Sequence, residues 1–85
     1  MQAVEKLKSL DPELYEKIKS ADEDHIQGEL QRVIVHKNLK FTLYGPVNSK
    51  FLARIYVDGS DRLCICEGGT PAEALLLTYI ECFAH

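Results

Sequence analysis

Apolar residues change their spacing twice along this chain. From Val4 to Ile18 they recur at helical intervals, first Val4 and Leu7, then Leu14 and Ile18, the three-to-four-residue step of one helix face. Between Leu39 and Val57 the period falls to two. Leu39, Phe41 and Leu43 alternate with Lys40, Thr42 and Tyr44, and Phe51, Ala53, Ile55 and Val57 alternate with Leu52, Arg54 and Tyr56. That alternation predicts two strands with one face in a core and a mixed opposite face. After Gly68-Gly69 helical spacing returns at Ala72, Leu75, Leu76, Tyr79 and Phe83, which predicts a C-terminal helix with a buried stripe.

Boundary residues sharpen these elements. Asp11-Pro12-Glu13 is a helix start, because Asp accepts from free backbone N–H groups and Pro at the first helical position loses nothing. Ser20-Ala21-Asp22-Glu23 reads as a capping box and predicts a new helix or a bend. Residues 26–36 fit two patterns. Ile26, Leu30, Val33 and Ile34 share a helical face, whereas Gly28 and the β-branched run Val33-Ile34-Val35 favour a strand. A helix to about Val33 is expected, the alternative being an extra edge strand hairpinned through Lys37-Asn38. Gly45-Pro46-Val47-Asn48-Ser49 and Asp58-Gly59-Ser60-Asp61 read as turns. Leu63-Cys64-Ile65-Cys66 is apolar on both faces, so a strand covered on both sides is expected. Thr70 caps the last helix, Pro71 starts it and Glu73 closes its box.

Together these predict one α+β domain over residues 1–85: a helical segment at 1–36, a three- to four-stranded antiparallel meander at 39–67 and a C-terminal helix at 70–83. The last helix should pack on the strongly apolar sheet face, and the N-terminal helices on the other face or an edge. That other face carries Lys40, Thr42, Tyr44, Leu52, Arg54 and Tyr56, with Cys64 and Cys66 as further candidates for it. Leu77 and Ile80 widen the apolar arc of the last helix, which makes them candidate contacts with another subunit.

Composition adds few constraints. Eighty-five residues, 46% hydrophobic and 27% charged, suit one ordinary globular domain. No apolar run approaches the ~20 residues of a membrane span, and Met1 to Lys8 lacks the apolar core of a signal peptide. A cytoplasmic protein is therefore expected. Charge changes the picture more. The net charge of −3 divides into acidic ends and a basic middle. Residues 1–31 hold eight acids against four lysines, residues 32–66 six bases against two acids, and residues 67–85 three acids and no base. Such segregation bears on partners rather than on fold.

The basic, aromatic set Lys40, Tyr44, Arg54, Tyr56 and Arg62 could stack bases and pair phosphates, could form a protein interface, or could be an ordinary amphipathic sheet face. Asp22-Glu23-Asp24 could meet a basic partner or simply complement a helix dipole. Cys64, Cys66 and Cys82 are an odd set without zinc spacing and read as small buried apolar residues. No phosphate loop, metal motif or nucleophile motif occurs, so neither catalytic residues, cofactor nor metal is expected.

The order of elements resembles that of double-stranded-RNA-binding domains. Their last helix opens with lysines, whereas Thr70-Pro71-Ala72-Glu73-Ala74 has none, and phosphate contact needs positive charge. The tail is closer to another family. Phe51-Leu52-Ala53-Arg54-Ile55-Tyr56-Val57, Leu63-Cys64-Ile65-Cys66 and Gly69-Thr70-Pro71-Ala72-Glu73-Ala74-Leu75 resemble the phage ABA sandwich domains over residues 51–83. The same helix start is similar to the core of HicB-type antitoxins. The resemblance implies helices on both sides of a sheet and a small non-enzymatic phage accessory protein in a bacterial host. Such a protein would act by binding a host or phage protein, and an anti-CRISPR-like inhibitor of bacterial defence is one form. A nucleic-acid-binding domain and a homo-oligomeric structural protein are the alternatives.

Overall fold

A computed structural model describes residues 3–57 and 62–83. Three helices come first: α1 (Ala3–Leu10), α2 (Pro12–Ile18) and α3 (Glu23–His36). Strands β1 (Lys40–Val47), β2 (Lys50–Tyr56) and β3 (Leu63–Gly68) follow, then α4 (Pro71–Phe83). The strands form one antiparallel sheet in the order β1-β2-β3. This is the α+β fold expected, with the C-terminal helix packed on the sheet.

Helix starts follow the sequence signals with one correction. Asp11 caps α2, its Oδ1 accepting from Leu14 N–H at 3.1 Å. Thr70 Oγ1 accepts from Glu73 N–H at 3.1 Å, and the Glu73 carboxylate accepts from Gly69 N–H at 2.9 Å. The cap of α3, however, is Asp22 rather than Ser20, with Oδ1 accepting from His25 N–H at 2.9 Å. Asp at this position competes well with Ser, and its charge complements the helix dipole.

The ambiguous segment is helix throughout. α3 runs to His36 and absorbs Val33-Ile34-Val35, so there is no edge strand at these residues. Packing decides against propensity here: Ile26, Leu30 and Ile34 are buried on one face. Asn38 then adopts φ 61, Asn38 N–H donates to Val35 C=O at 2.9 Å, and Leu39 N–H donates to Ile34 C=O at 3.0 Å. These two bonds are a Schellman stop.

The first hairpin is tighter than the sequence suggests. β1 continues through Gly45-Pro46, where the register with β2 shifts between Tyr44 and Val47. Asn48 and Ser49 alone make the turn, with φ 53 and 65, the two left-handed residues of a type I′ hairpin. The expected turn at Asp58-Gly59-Ser60-Asp61 lies outside the described residues.

Register fixes the faces. Phe41, Ile55 and Cys64 lie side by side, as do Leu43, Ala53 and Cys66, and Phe51 lies beside Gly68. This face receives α4. Cys64 and Cys66 therefore belong to the helix side, one residue out of step with their expected place. The floor beneath α4 is made of small groups, and the helix comes close to it: Thr78 Oγ1 lies 2.7 Å from Ala74 C=O and 3.2 Å from Ala53 C=O of β2, and donates between them.

The N-terminal helices occupy neither the other sheet face nor an edge strand's place. α1 and α3 pack on the far side of α4, with α2 against both. α4 is consequently buried on two faces, at Ala72, Ala74, Leu75, Leu76, Thr78, Tyr79 and Cys82. The Tyr79 phenol donates to Asp11 Oδ2 at 2.9 Å, and Thr70 Oγ1 donates to Glu23 Oε1 at 3.2 Å. Both bonds tie α4 to the helical layer. Among the described residues nothing covers the outer sheet face, and Leu63 and Ile65 of β3 are each 44% exposed there. β3 is thus covered on one side, not two.

Two glycines in this frame should respond oppositely to alanine. A Cβ on Gly68 would stand 2.4 Å from Ala74 N, so Gly68→Ala should destabilise the fold by about 3 kcal/mol. A Cβ on Gly28 would meet nothing within 4 Å, so Gly28→Ala should stabilise α3 by roughly 0.5–1 kcal/mol. Urea midpoints of the two variants read this directly, and equal midpoints would contradict the packing. Tyr79 sets a pH limit. Burial first, then the hydrogen bond to Asp11, raise its phenol pKa above the ordinary value. Its contribution is complete below the unfolded pKa of about 10 and is lost as pH rises above it. Stability should fall in that alkaline range, and Tyr79→Phe should flatten the fall while costing about 1–2 kcal/mol at neutral pH.

Candidate binding surface

Alternation on the three strands places one set of side chains on the uncovered face. Lys40, Tyr56 and Leu63 form one row across the sheet, Thr42, Arg54 and Ile65 the next, and Tyr44, Leu52 and Glu67 the third. Arg54 sits at the centre, on the middle strand. Its guanidinium carbon lies 5.0 Å from the Tyr44 ring centroid, a cation–π contact. No carboxylate pairs with it among the described residues. Arg54 Nε and Thr42 Oγ1 are buried by their neighbours and have no hydrogen-bond partner at ordinary length and angle. The face therefore combines an arginine without an acidic partner, two tyrosines and three aliphatic side chains.

Of the residues singled out from sequence, Lys40, Tyr44, Arg54 and Tyr56 are brought together on this face. Arg62 is not among them. It stands at the entry to β3, and its Nη2 donates to the Cys82 C=O near the end of α4. The acidic cluster is elsewhere, at the start of α3, where Asp22 and Glu23 are engaged in the cap and the bond to Thr70. Asp24 is exposed beside them. Leu77 and Ile80 are half-buried against the chain's own core, and Leu77 borders a shallow depression with Ala3, Lys6 and Glu73. The wide apolar arc of α4 is met within the chain by α1 and α3.

Sequence reasoning missed Leu63 and Ile65. A one-residue shift of register moves every side chain of a strand to the opposite face, and Leu63-Cys64-Ile65-Cys66 offers no polar residue to fix it. A usable signal was present: Cys64, Cys66 and Gly68 form the small-residue set, and a helix approaching closely needs small residues beneath it.

A cleft of about 490 Å³ opens between α2 and α3. Lys17, Arg32 and Lys37 line it against Asp11, Glu13 and Glu29. The charges balance, and two of the acids are already engaged. Asp11 holds Leu14 N–H and Tyr79, and Glu29 Oε1 lies 3.0 Å from Arg32 Nη1. Two of the thiols, Cys66 and Cys82, are poor nucleophiles. Burial, then the neighbouring Cys64, push Cys82 up to about 11, and burial raises Cys66, so both are protonated at neutral pH. Among the described residues no group of three His, Cys, Asp or Glu side chains could hold a metal ion, and no helix is long and apolar enough to cross a membrane.

The centre of the open face reports on itself through Tyr56. The Arg54 guanidinium first, and then the Thr42 hydroxyl, lower the Tyr56 phenol pKa, because positive charge and hydrogen-bond donors favour the phenolate. Arg54→Met should move that pKa upward, as followed by the Tyr56 ring-carbon shift in an NMR titration. An unchanged titration would show that the two side chains do not meet. No protein-family model, curated protein or solved structure matches the chain.

Proposed function

We propose that this protein is a non-enzymatic binding module that docks the open face of its sheet onto another protein. One observation carries the reading: a sheet face left uncovered by the chain's own helices, centred on Arg54 and Tyr44 with Tyr56, Leu52, Leu63 and Ile65 around them. Arginine and tyrosine amid aliphatic side chains are the composition of interface cores. The sequence resemblance of residues 51–83 to phage domains supplies the biological setting: a phage accessory protein in a bacterial host, with inhibition of a defence system as its role. A stoichiometric inhibitor needs a surface rather than a catalytic centre, which suits a chain of this size.

Nucleic acid is the second reading, favoured by Lys40 and Arg54 on the same face, neither of which has an ion-pair partner among the described residues. Against it, Glu67 lies in the third row of that face and α4 brings no lysine. Salt separates the two readings, because phosphate contact weakens steeply as salt rises.

The test compares the tagged protein with its Tyr44→Ala/Arg54→Ala variant in nuclease-treated bacterial lysate. A partner held by the parent at stoichiometric level and lost from the folded variant, by tenfold or more at roughly 1.4 kcal/mol per decade, is the expected result. A partner held equally by both proteins contradicts the docking face. Partners that vanish on nuclease treatment move the assignment to nucleic acid.

A further inference from the structure

The two edges of the sheet are unlike. The β1 edge begins at Lys40, has α3 in contact with its strand, and is interrupted at Gly45-Pro46, where the register shifts and Pro46 has no N–H. These are devices that keep other strands away. The β3 edge has none of them. All six residues pair with β2 in unbroken register, without proline, lysine or bulge, and no described helix lies beyond it.

The direction of its free backbone groups follows from one bond. Val57 N–H donates to Arg62 C=O at 3.2 Å, so those two residues form a hydrogen-bonded pair, and such pairs alternate along antiparallel strands. Cys64, Cys66 and Gly68 therefore turn their N–H and C=O groups toward β2. Leu63, Ile65 and Glu67 turn theirs outward. The side chains of the same three residues stand on the open face, so backbone and side-chain contacts are offered together.

We propose that the β3 edge accepts an extended segment of a partner protein as a fourth strand, and that this segment places apolar residues beside Leu63 and Ile65 and a lysine or arginine beside Glu67. This rests on the reading of the chain as a protein-binding module but uses the edge rather than Arg54. Charge selects the occupant. Glu67 is exposed on the outer face, and Glu81 of α4 is exposed on the inner side, close enough to Cys66 to act on its thiol. Neither carboxylate has an ion-pair partner among the described residues. A second copy of this chain paired through β3 would bring four carboxylates to one seam, whereas a basic strand neutralises them. Size points the same way. The open face measures about 20 Å along the strands and about 14 Å across them, which falls well short of the ~800 Å² each partner contributes to a stable interface. Extension over the β3 edge enlarges the contact.

The test uses a capped peptide, Thr-Lys-Thr-Val-Thr-Val-Thr, which carries one lysine and two valines on a single strand face, and its counterpart with glutamate in place of the lysine, added to the protein under amide hydrogen exchange read by NMR. The lysine peptide should slow exchange at Leu63, Ile65 and Glu67 by about tenfold or more, with Phe41 and Leu43 of β1 unchanged. Glu67→Gln should weaken it about fivefold, and Glu67→Lys should transfer the preference to the glutamate peptide. Equal effects of both peptides, or none, overturn the proposal. Protection that grows with protein concentration without peptide also overturns it, in favour of a second copy. If the Tyr44→Ala/Arg54→Ala variant loses its lysate partner while no peptide protects β3, the open-face reading stands and strand addition falls.

Discussion

The structure depends on the burial of α4 between two layers, the sheet and the N-terminal helices. A helix apolar on one stripe needs one cover; α4 carries Ala72, Ala74, Leu75, Leu76, Thr78, Tyr79 and Cys82 inside and needs two. The sheet supplies the first cover through Ala53, Ile55 and Cys64, and the close seat of the helix start over Gly68 sets its distance. Helices α1 and α3 supply the second. Among the described residues no further helix lies across the outer sheet face. The open surface is thus a consequence of where the apolar residues of α4 point, not a separate feature added to the fold.

Polar groups specify how the second cover sits. The Asp11 carboxylate holds the first turn of α2 with one oxygen and the Tyr79 phenol with the other. It joins the α1–α2 corner to the middle of the molecule. A hydroxyl this deeply buried costs free energy unless bonded, so the helical layer can slide over α4 only by abandoning that bond. Lys37 adds a cation–π contact 5.3 Å from the Phe83 ring, and Phe83 packs 4.8 Å from Tyr79. The end of α3 is thereby held against the end of α4. Apolar burial supplies most of the stability, and these contacts select one arrangement.

Element types and the helix-facing residues of β1 and β2 were legible in the sequence because they rest on local rules. Asp11, Thr70 and Glu73 announce helix starts, and the alternation from Leu39 to Val57 fixes a face. Three features depended on distant partners and were not. Val33-Ile34-Val35 has strand propensity, yet Ile34 is buried in a helix because α3 packs on α4. Leu63 to Cys66 is apolar at every position, so its register came from β2 rather than from itself. The stacking order of sheet, α4 and N-terminal helices reflects competition for two apolar surfaces, which periodicity does not rank. The candidate site was half legible for the same reason: Lys40, Tyr44, Arg54 and Tyr56 lie on strands of unambiguous phase, whereas Leu63 and Ile65 lie on the strand without one.

That missing phase also bears on how β3 can be used. A strand with apolar residues on both faces tolerates neighbours of many kinds, and its order here comes from β2 and α4 on two of its sides. The two sides left over, the outer face and the free edge, meet at the same residues, Leu63, Ile65 and Glu67. β1 differs, because its edge is broken by Gly45-Pro46 and begins at Lys40, with α3 in contact with the strand. The polarity of the sheet is therefore lateral: closed at β1, open at β3, with Arg54 and Tyr44 between. A partner that approaches from the β3 side meets backbone hydrogen-bonding groups first and the arginine–tyrosine pair second. The former can align an extended segment without regard to its sequence, and the latter can discriminate among the side chains it presents.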